Sequence, residues 1–135
     1  MADRKLIGEG SYRRVYAHPD DPSLVIKIQR DKKSLASANL SEWNNWQACK
    51  NNIQRAQWLA PCVEISECGT MLIQMRVYPL YTIGEYPKEL PAFLRDIKPV
   101  NFGRLPDTSR VVCCDYAFVL FERGDVLLPA KWNIA

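Results

Sequence analysis

The 135-residue sequence is poor in metal-binding side chains: it has one histidine, His18, and its five cysteines, Cys49, Cys62, Cys68, Cys113 and Cys114, include no C-x-x-C pair. That excludes the usual zinc constellations, and the odd cysteine count argues against a disulfide framework. Free thiols in a reducing compartment are the expectation. Long apolar runs are also missing. No stretch approaches the roughly 18 residues that span a bilayer, and "MADRKLIGEG" has no apolar segment of the secretory kind, so a cytoplasmic protein without a membrane partner is expected. Charge of one sign is scarce as well. With a formal net charge of +3 and no aromatic stacking motif beside the scattered basic residues, nucleic acid ranks last among partners. The basic residues of "RDKKS" and the pair Arg13 and Arg14 read as a solvated face.

Repeats, low-complexity tracts and linkers are absent too, so residues 1–135 read as one domain, large enough to bury a core. "KLIGEGSYRRVYA" (5–17) and "SLVIKIQ" (23–29) cluster β-branched and aromatic residues around "HPDDP", which predicts two or three antiparallel strands. From Asn39 to Ala60 the period becomes helical: Trp43, Trp46, Ile53, Ala56 and Leu59 share a face, Asn39 or Ser41 serves as cap, and Pro61 stops the helix. Strands resume at "CVEISE" and "TMLIQMRVY" around Cys68-Gly69. In "PLYTIGEYPKELPAFL" the prolines leave room for only a short helix before Asp96. "NFGRL" and "RVVCCDYAFVLF" are the last strand candidates, around the turn "PDTS".

Five groups of residues carry chemistry. Gly8-Glu9-Gly10-Ser11-Tyr12-Arg13-Arg14-Val15 has glycines of the kind that let phosphate oxygens reach backbone N–H groups without a Cβ in the way, although any β-hairpin can hold them. Lys27, inside Val25-Ile26-Lys27-Ile28, is costly in a strand interior unless its ammonium meets an anion; a snorkelling lysine is the alternative. Glu42 is the only acid between Asp31 and Glu64 and precedes the tryptophan stripe, near the helix's inner face, where it can complement the helix dipole. Asp96-Ile97-Lys98-Pro99-Val100-Asn101 sets a carboxylate, a cation and an amide side by side. Asp115 follows the apolar run "VVCC".

In this order the groups resemble the motifs of protein kinases, over roughly residues 5 to 120. "RRVYAHPDDPSLVIKI" also looks like small bacterial kinase-like proteins of the PhoP-regulatory-network type, and the compressed length is similar to kinase-like proteins of bacteriophages. The resemblance implies an α+β fold: a kinase-like N-lobe of antiparallel sheet plus one main helix (1–78), then a catalytic-loop hairpin in a truncated C-lobe (79–135). Within it, Gly8, Gly10 and Val15 cover the nucleotide, Lys27 paired with Glu42 holds its phosphates, and Met75 opens the hinge Met75-Arg76-Val77. Asp96 acts on the acceptor hydroxyl, Lys98 neutralises the transferred phosphoryl group, and Asn101 and Asp115 hold Mg²⁺. Arg13 stands where the third glycine belongs and Ala117 where D-F-G has its glycine. No A-P-E segment or helical lower lobe follows. Two function classes therefore stay open: an ATP- and Mg²⁺-dependent phosphotransferase acting on a hydroxyl, expected on a protein, which is favoured, and a non-catalytic kinase-like module that binds and regulates a partner. Apolar surface left by the short lower lobe is expected to be covered by the tail "VLLPAKWNIA", by a second copy or by another protein.

Overall fold

The computed structural model describes residues 5–10, 12–29 and 38–133. Ser11 and the basic stretch 30–34 lie outside them. Strands β1 (Leu6–Glu9), β2 (Arg13–Ala17) and β3 (Leu24–Gln29) run antiparallel in sequence order. The reversal into β3 uses Asp21, whose Oδ1 accepts from the Ser23 backbone N–H at 2.9 Å and from its hydroxyl at 2.6 Å, a side-chain-built turn. After helices α1 (Ala38–Cys49) and α2 (Ile53–Ala56), strands β4 (Cys62–Ile65) and β5 (Met71–Met75) complete a five-stranded sheet of order β1-β2-β3-β5-β4. Gly69, at φ +78 in the β4–β5 turn, adopts the left-handed conformation that glycine enters without penalty. The fold is α+β, with an antiparallel sheet and one main helix.

The single helix expected from Asn39 to Ala60 is two helices. Asn52 has extended backbone and caps α2, its side chain accepting from the Gln54 N–H, because asparagine competes with helix by bonding nearby backbone. Ile53 consequently leaves the apolar face and is 78% exposed, while Trp43 and Trp46 stay packed on the core. Asn39 is no cap: it lies inside α1, fully buried, and its Nδ2 donates to the carbonyls of Lys27, Gly69 and Thr70. It rivets the helix to β3 and to the β4–β5 turn.

The remaining chain has β6 (Glu89–Pro91), a hairpin of β7 (Phe102–Arg104) and β8 (Val111–Cys113), and β9 (Leu127–Pro129), which returns to pair with β6. The short helix expected before Asp96 is a single 3₁₀ turn, Ile83–Glu85. The strand expected to run through to Phe121 ends at Cys113. The tail folds back: the Trp132 ring lies 4.9 Å from both Phe102 and Tyr86, and its Nε1–H donates to the Pro87 carbonyl.

The hairpin is fastened at two places to the segments that lead into β4 and out of β5. Ala60 N–H donates to the Cys113 carbonyl and Cys113 N–H to the Trp58 carbonyl, while Tyr78 and Arg104 exchange backbone bonds of 3.0 and 2.8 Å. Gly103 permits the second junction, since a Cβ there would sit 2.6 Å from Val77 Cγ2 and 2.8 Å from the Tyr78 carbonyl oxygen. One core joins Cys49, Leu59 and Leu72 of the first half to Phe93, Phe102 and Tyr116 of the second. A cleft of about 680 Å³ stays open between sheet and hairpin.

Candidate functional site

Both walls of that cleft carry residues singled out from sequence. Gly8, Gly10, Val15, Lys27 and Met75 line it from the sheet, and Asp96, Lys98, Asn101 and Asp115 from the hairpin side. Glu42 sits beneath the lining, fully buried on α1. Register explains the sheet wall. Val15 pairs with Lys27, Lys27 with Leu72 and Val25 with Gln74, so these side chains share the face turned toward α1 and the cleft.

Glu42 is the hub. Lys27 Nζ meets its Oε2 at 2.6 Å, Arg13 Nη1 the same oxygen at 2.8 Å, and the Tyr116 backbone N–H donates to Oε1 at 2.6 Å. Burial pushes the Glu42 carboxyl up, but the guanidinium of Arg13 and then the ammonium of Lys27 outweigh it and hold the group at about 2. Lys27 also donates to the Cys114 carbonyl. Arg13 reaches past Glu42 to Asp115 Oδ1 at 2.8 Å and to Asn39 Oδ1 at 3.2 Å. Burial works to lower its pKa, yet Glu42 and Asp115 leave it raised.

Arg13 thus contradicts its reading as part of a solvated face: only 7% of it is exposed. Arg14, its neighbour on the opposite face of β2, does fit that reading, paired with Glu9 in solvent. Alternation was the available signal, because Arg13 lies two residues before Val15 and shares its side of the strand.

On the opposite wall Asp96 takes a positive φ of 57, rare for a residue with a Cβ. Its backbone carbonyl and Oδ2 both accept from Asn101 Nδ2, at 2.8 and 3.1 Å, and its Oδ1 lies 3.3 Å from Lys98 Nζ. The 3₁₀ turn Pro99–Asn101 sets this geometry. Cys114 N–H then donates to the Asn101 carbonyl at 2.8 Å, which brings Asn101 and Asp115 to one end of the cleft. Burial pushes the Cys114 thiol up to about 11, which disfavours the thiolate.

Gln74 was also missed from sequence. It lines the cleft, is fully buried, and its Oε1 has no hydrogen-bond partner, while Nε2 points to the Ala60 carbonyl at 3.4 Å. A buried acceptor left bare is costly, and a donor on a bound molecule is one way to satisfy it. Among the described residues no group of three or more His, Cys, Asp or Glu side chains is placed to hold a metal ion by itself. No family model matches the chain, and a search of curated proteins finds no match either.

Proposed function

We propose that this protein is a minimal protein-kinase-like phosphotransferase, moving the γ-phosphoryl group of ATP to a hydroxyl, expected on a protein. The observation that carries this is the convergence of the Lys27–Glu42 pair, the Asp96–Asn101 pair and Asp115 on one cleft of about 680 Å³, within the few hundred to 1,000 Å³ typical of small-molecule sites. The glycines of the β1–β2 hairpin put no Cβ between that wall and a phosphate, and Lys27 supplies a cation at the same wall. Asp96 orients the acceptor hydroxyl and takes its proton, with Asn101 and Lys98 fixing the carboxylate.

The donors also suit Mg²⁺. Asn101 spends its Nδ2 on Asp96, so Oδ1 is the atom it can offer a cation, and the half-exposed Asp115 carboxylate has a second oxygen beside the one bound to Arg13. One amide and one carboxylate oxygen match a hard cation that takes its other ligands from phosphates and water. When bound, Mg²⁺ supplies charge neutralisation at the phosphates.

A second reading has one observation in its favour. Because Arg13 already neutralises Asp115, the protein can be a kinase-like module that regulates a partner without catalysis. Assay with γ-labelled ATP separates the two. Wild type is expected to transfer label, Asp96→Asn to lose transfer while keeping nucleotide affinity, and Asp115→Asn to lose both. Equal labelling by wild type and both variants would remove the phosphotransferase. No helix among the described residues is long and apolar enough to cross a membrane, and a cytoplasmic location is proposed with the function. A second copy or another protein is proposed to cover Val126, Leu127 and Leu128, which stay exposed on and beside β9.

A further inference from the structure

We propose that Gln74 selects the base of the nucleotide: its side-chain oxygen Oε1 accepts from an exocyclic amine on the ring, so that the cleft favours a 6-aminopurine over a purine without that amine. The inference rests on the nucleotide-site reading above and concerns the part of the ligand that the charged groups do not read.

The observation behind it is a bare acceptor where the nearby donors are already committed. Gln74 is fully buried on β5 and lines the cleft, and among the described residues nothing donates to its Oε1. Turning the amide over does not cure this. The Ala60 carbonyl, 3.4 Å from Nε2, can only accept, which keeps the nitrogen on that side. The hydroxyl and thiol grouped around the same carbonyl are spent as well. Tyr116 gives its one hydroxyl hydrogen to Ala60 at 2.6 Å, which leaves the Cys62 thiol to donate to Tyr116 at 3.3 Å. A buried oxygen without a donor costs stability, and the cost is removed when a ligand brings an N–H.

The amide is lightly held. Its nitrogen-side contacts are long, 3.4 Å to the Ala60 carbonyl and 3.9 Å to Cys62 Sγ, and the last torsion of a glutamine is soft. Oε1 can therefore meet a ligand atom at the cleft wall without breaking a short bond.

The surroundings suit a ring. Val25 pairs with Gln74 across β3 and β5, and Val15, Val25, Met75 and Val77 line the same cleft. Apolar walls with one placed polar atom are what a flat heterocycle needs for packing and orientation. Lys27 stands two residues from Val25 along β3, roughly 7 Å away. Phosphates at Lys27 and a base at Gln74 thus fall within the reach of one nucleotide.

The test is calorimetric titration of the full chain with ATP and with the triphosphate of unsubstituted purine riboside, which differs in lacking the amine. Wild type is expected to bind ATP at least about tenfold more tightly than the analogue. Gln74→Met has a side chain of similar length without the acceptor, and it is expected to bind the two within about threefold of each other. The ratio is taken within one protein, so a general loss of folding cancels, and a glutamine that merely packs would leave it unchanged. Gln74→Leu serves where Gln74→Met does not fold.

Wild type that binds ATP and the analogue alike would overturn the proposal. A preference that survives loss of the Gln74 oxygen would overturn it too, since another group, or a water already bound to Oε1, would then be responsible. Wild type that binds neither nucleotide would sink the nucleotide-site reading, and the proposal with it.

Discussion

Two charged clusters face one cleft and differ in what surrounds them. Around Glu42 the side chains of Arg13, Lys27 and the acid are 8%, 5% and 0% exposed, whereas Asp96 and Lys98 are 60% and 46% exposed. Buried charges have no water to fall back on, so each depends on the others and the cluster is fixed by its own pairing. Exposed charges are screened and add little to stability, which leaves them available to a ligand. The same chemical groups therefore hold the fold as well as line the cleft on one wall, and only line the cleft on the other.

The sharpest way to break this contrast is Glu42→Ala. It leaves Arg13 and Lys27 buried beside one another and removes the acceptor of the Tyr116 N–H. A loss of about 3–5 kcal/mol is expected, a large share of what holds a domain of this size together. Chemical denaturation of the variant measures it.

Acid provides the same lesion reversibly. The folded-state value of Glu42, about 2, lies below its ordinary 4.5, so its contribution is complete above the ordinary value and disappears as pH falls through the window from 4.5 to 2. The shift corresponds to roughly 3 kcal/mol. Denaturation midpoints followed down to pH 2 should fall steeply for wild type, and Glu42→Gln should flatten that limb. Equal acid slopes in the two proteins would mean that other carboxylates govern it.

Gly103→Ala comes next in size and tests the junction rather than the charges. The new methyl would meet Val77 and the Tyr78 carbonyl, and a backbone oxygen cannot swing aside as a flexible side chain can. A cost of about 1–3 kcal/mol is expected, read as a lower denaturation midpoint. Because Tyr78, just after β5, and Arg104 exchange backbone bonds, the proposed nucleotide affinity should fall with it.

How far the sequence reveals all this depends on the range of the forces involved. The sheet strands, the Gly69 turn and the order Lys27, Glu42, Asp96, Asn101, Asp115 follow from local pattern and local chemistry. For Arg13 alternation gives only the side of the strand, since its partners lie 29 and 102 residues away and a basic residue in a short strand is usually solvated. The end of β8 at Cys113 is hidden for the same reason. "CCDYAF" has strand composition, yet Lys27 captures the Cys114 carbonyl and Glu42 the Tyr116 N–H, and these distant contacts oppose continuation of the strand. By contrast the break at Lys50-Asn51-Asn52 is a local event, carried by the capping habit of asparagine, and the tryptophan stripe masks it.

The smallest effect is expected on the exposed wall, from Asp96→Asn. Asparagine enters the left-handed region at least as readily as aspartate, so the backbone at φ +57 is not penalised. The new side chain keeps one oxygen to accept from Asn101 Nδ2, and the bond to the Asp96 backbone carbonyl is untouched. Only the Lys98 contact at 3.3 Å is lost, between side chains that water already screens. Stability should stay within about 0.5 kcal/mol of wild type even where the proposed phosphoryl transfer is lost, the reverse of Glu42→Ala, which is expected to weaken the fold itself. Equilibrium denaturation of Asp96→Asn checks this: a loss above about 2 kcal/mol would show that the exposed cluster also holds the fold, and the distinction between the two walls would fail.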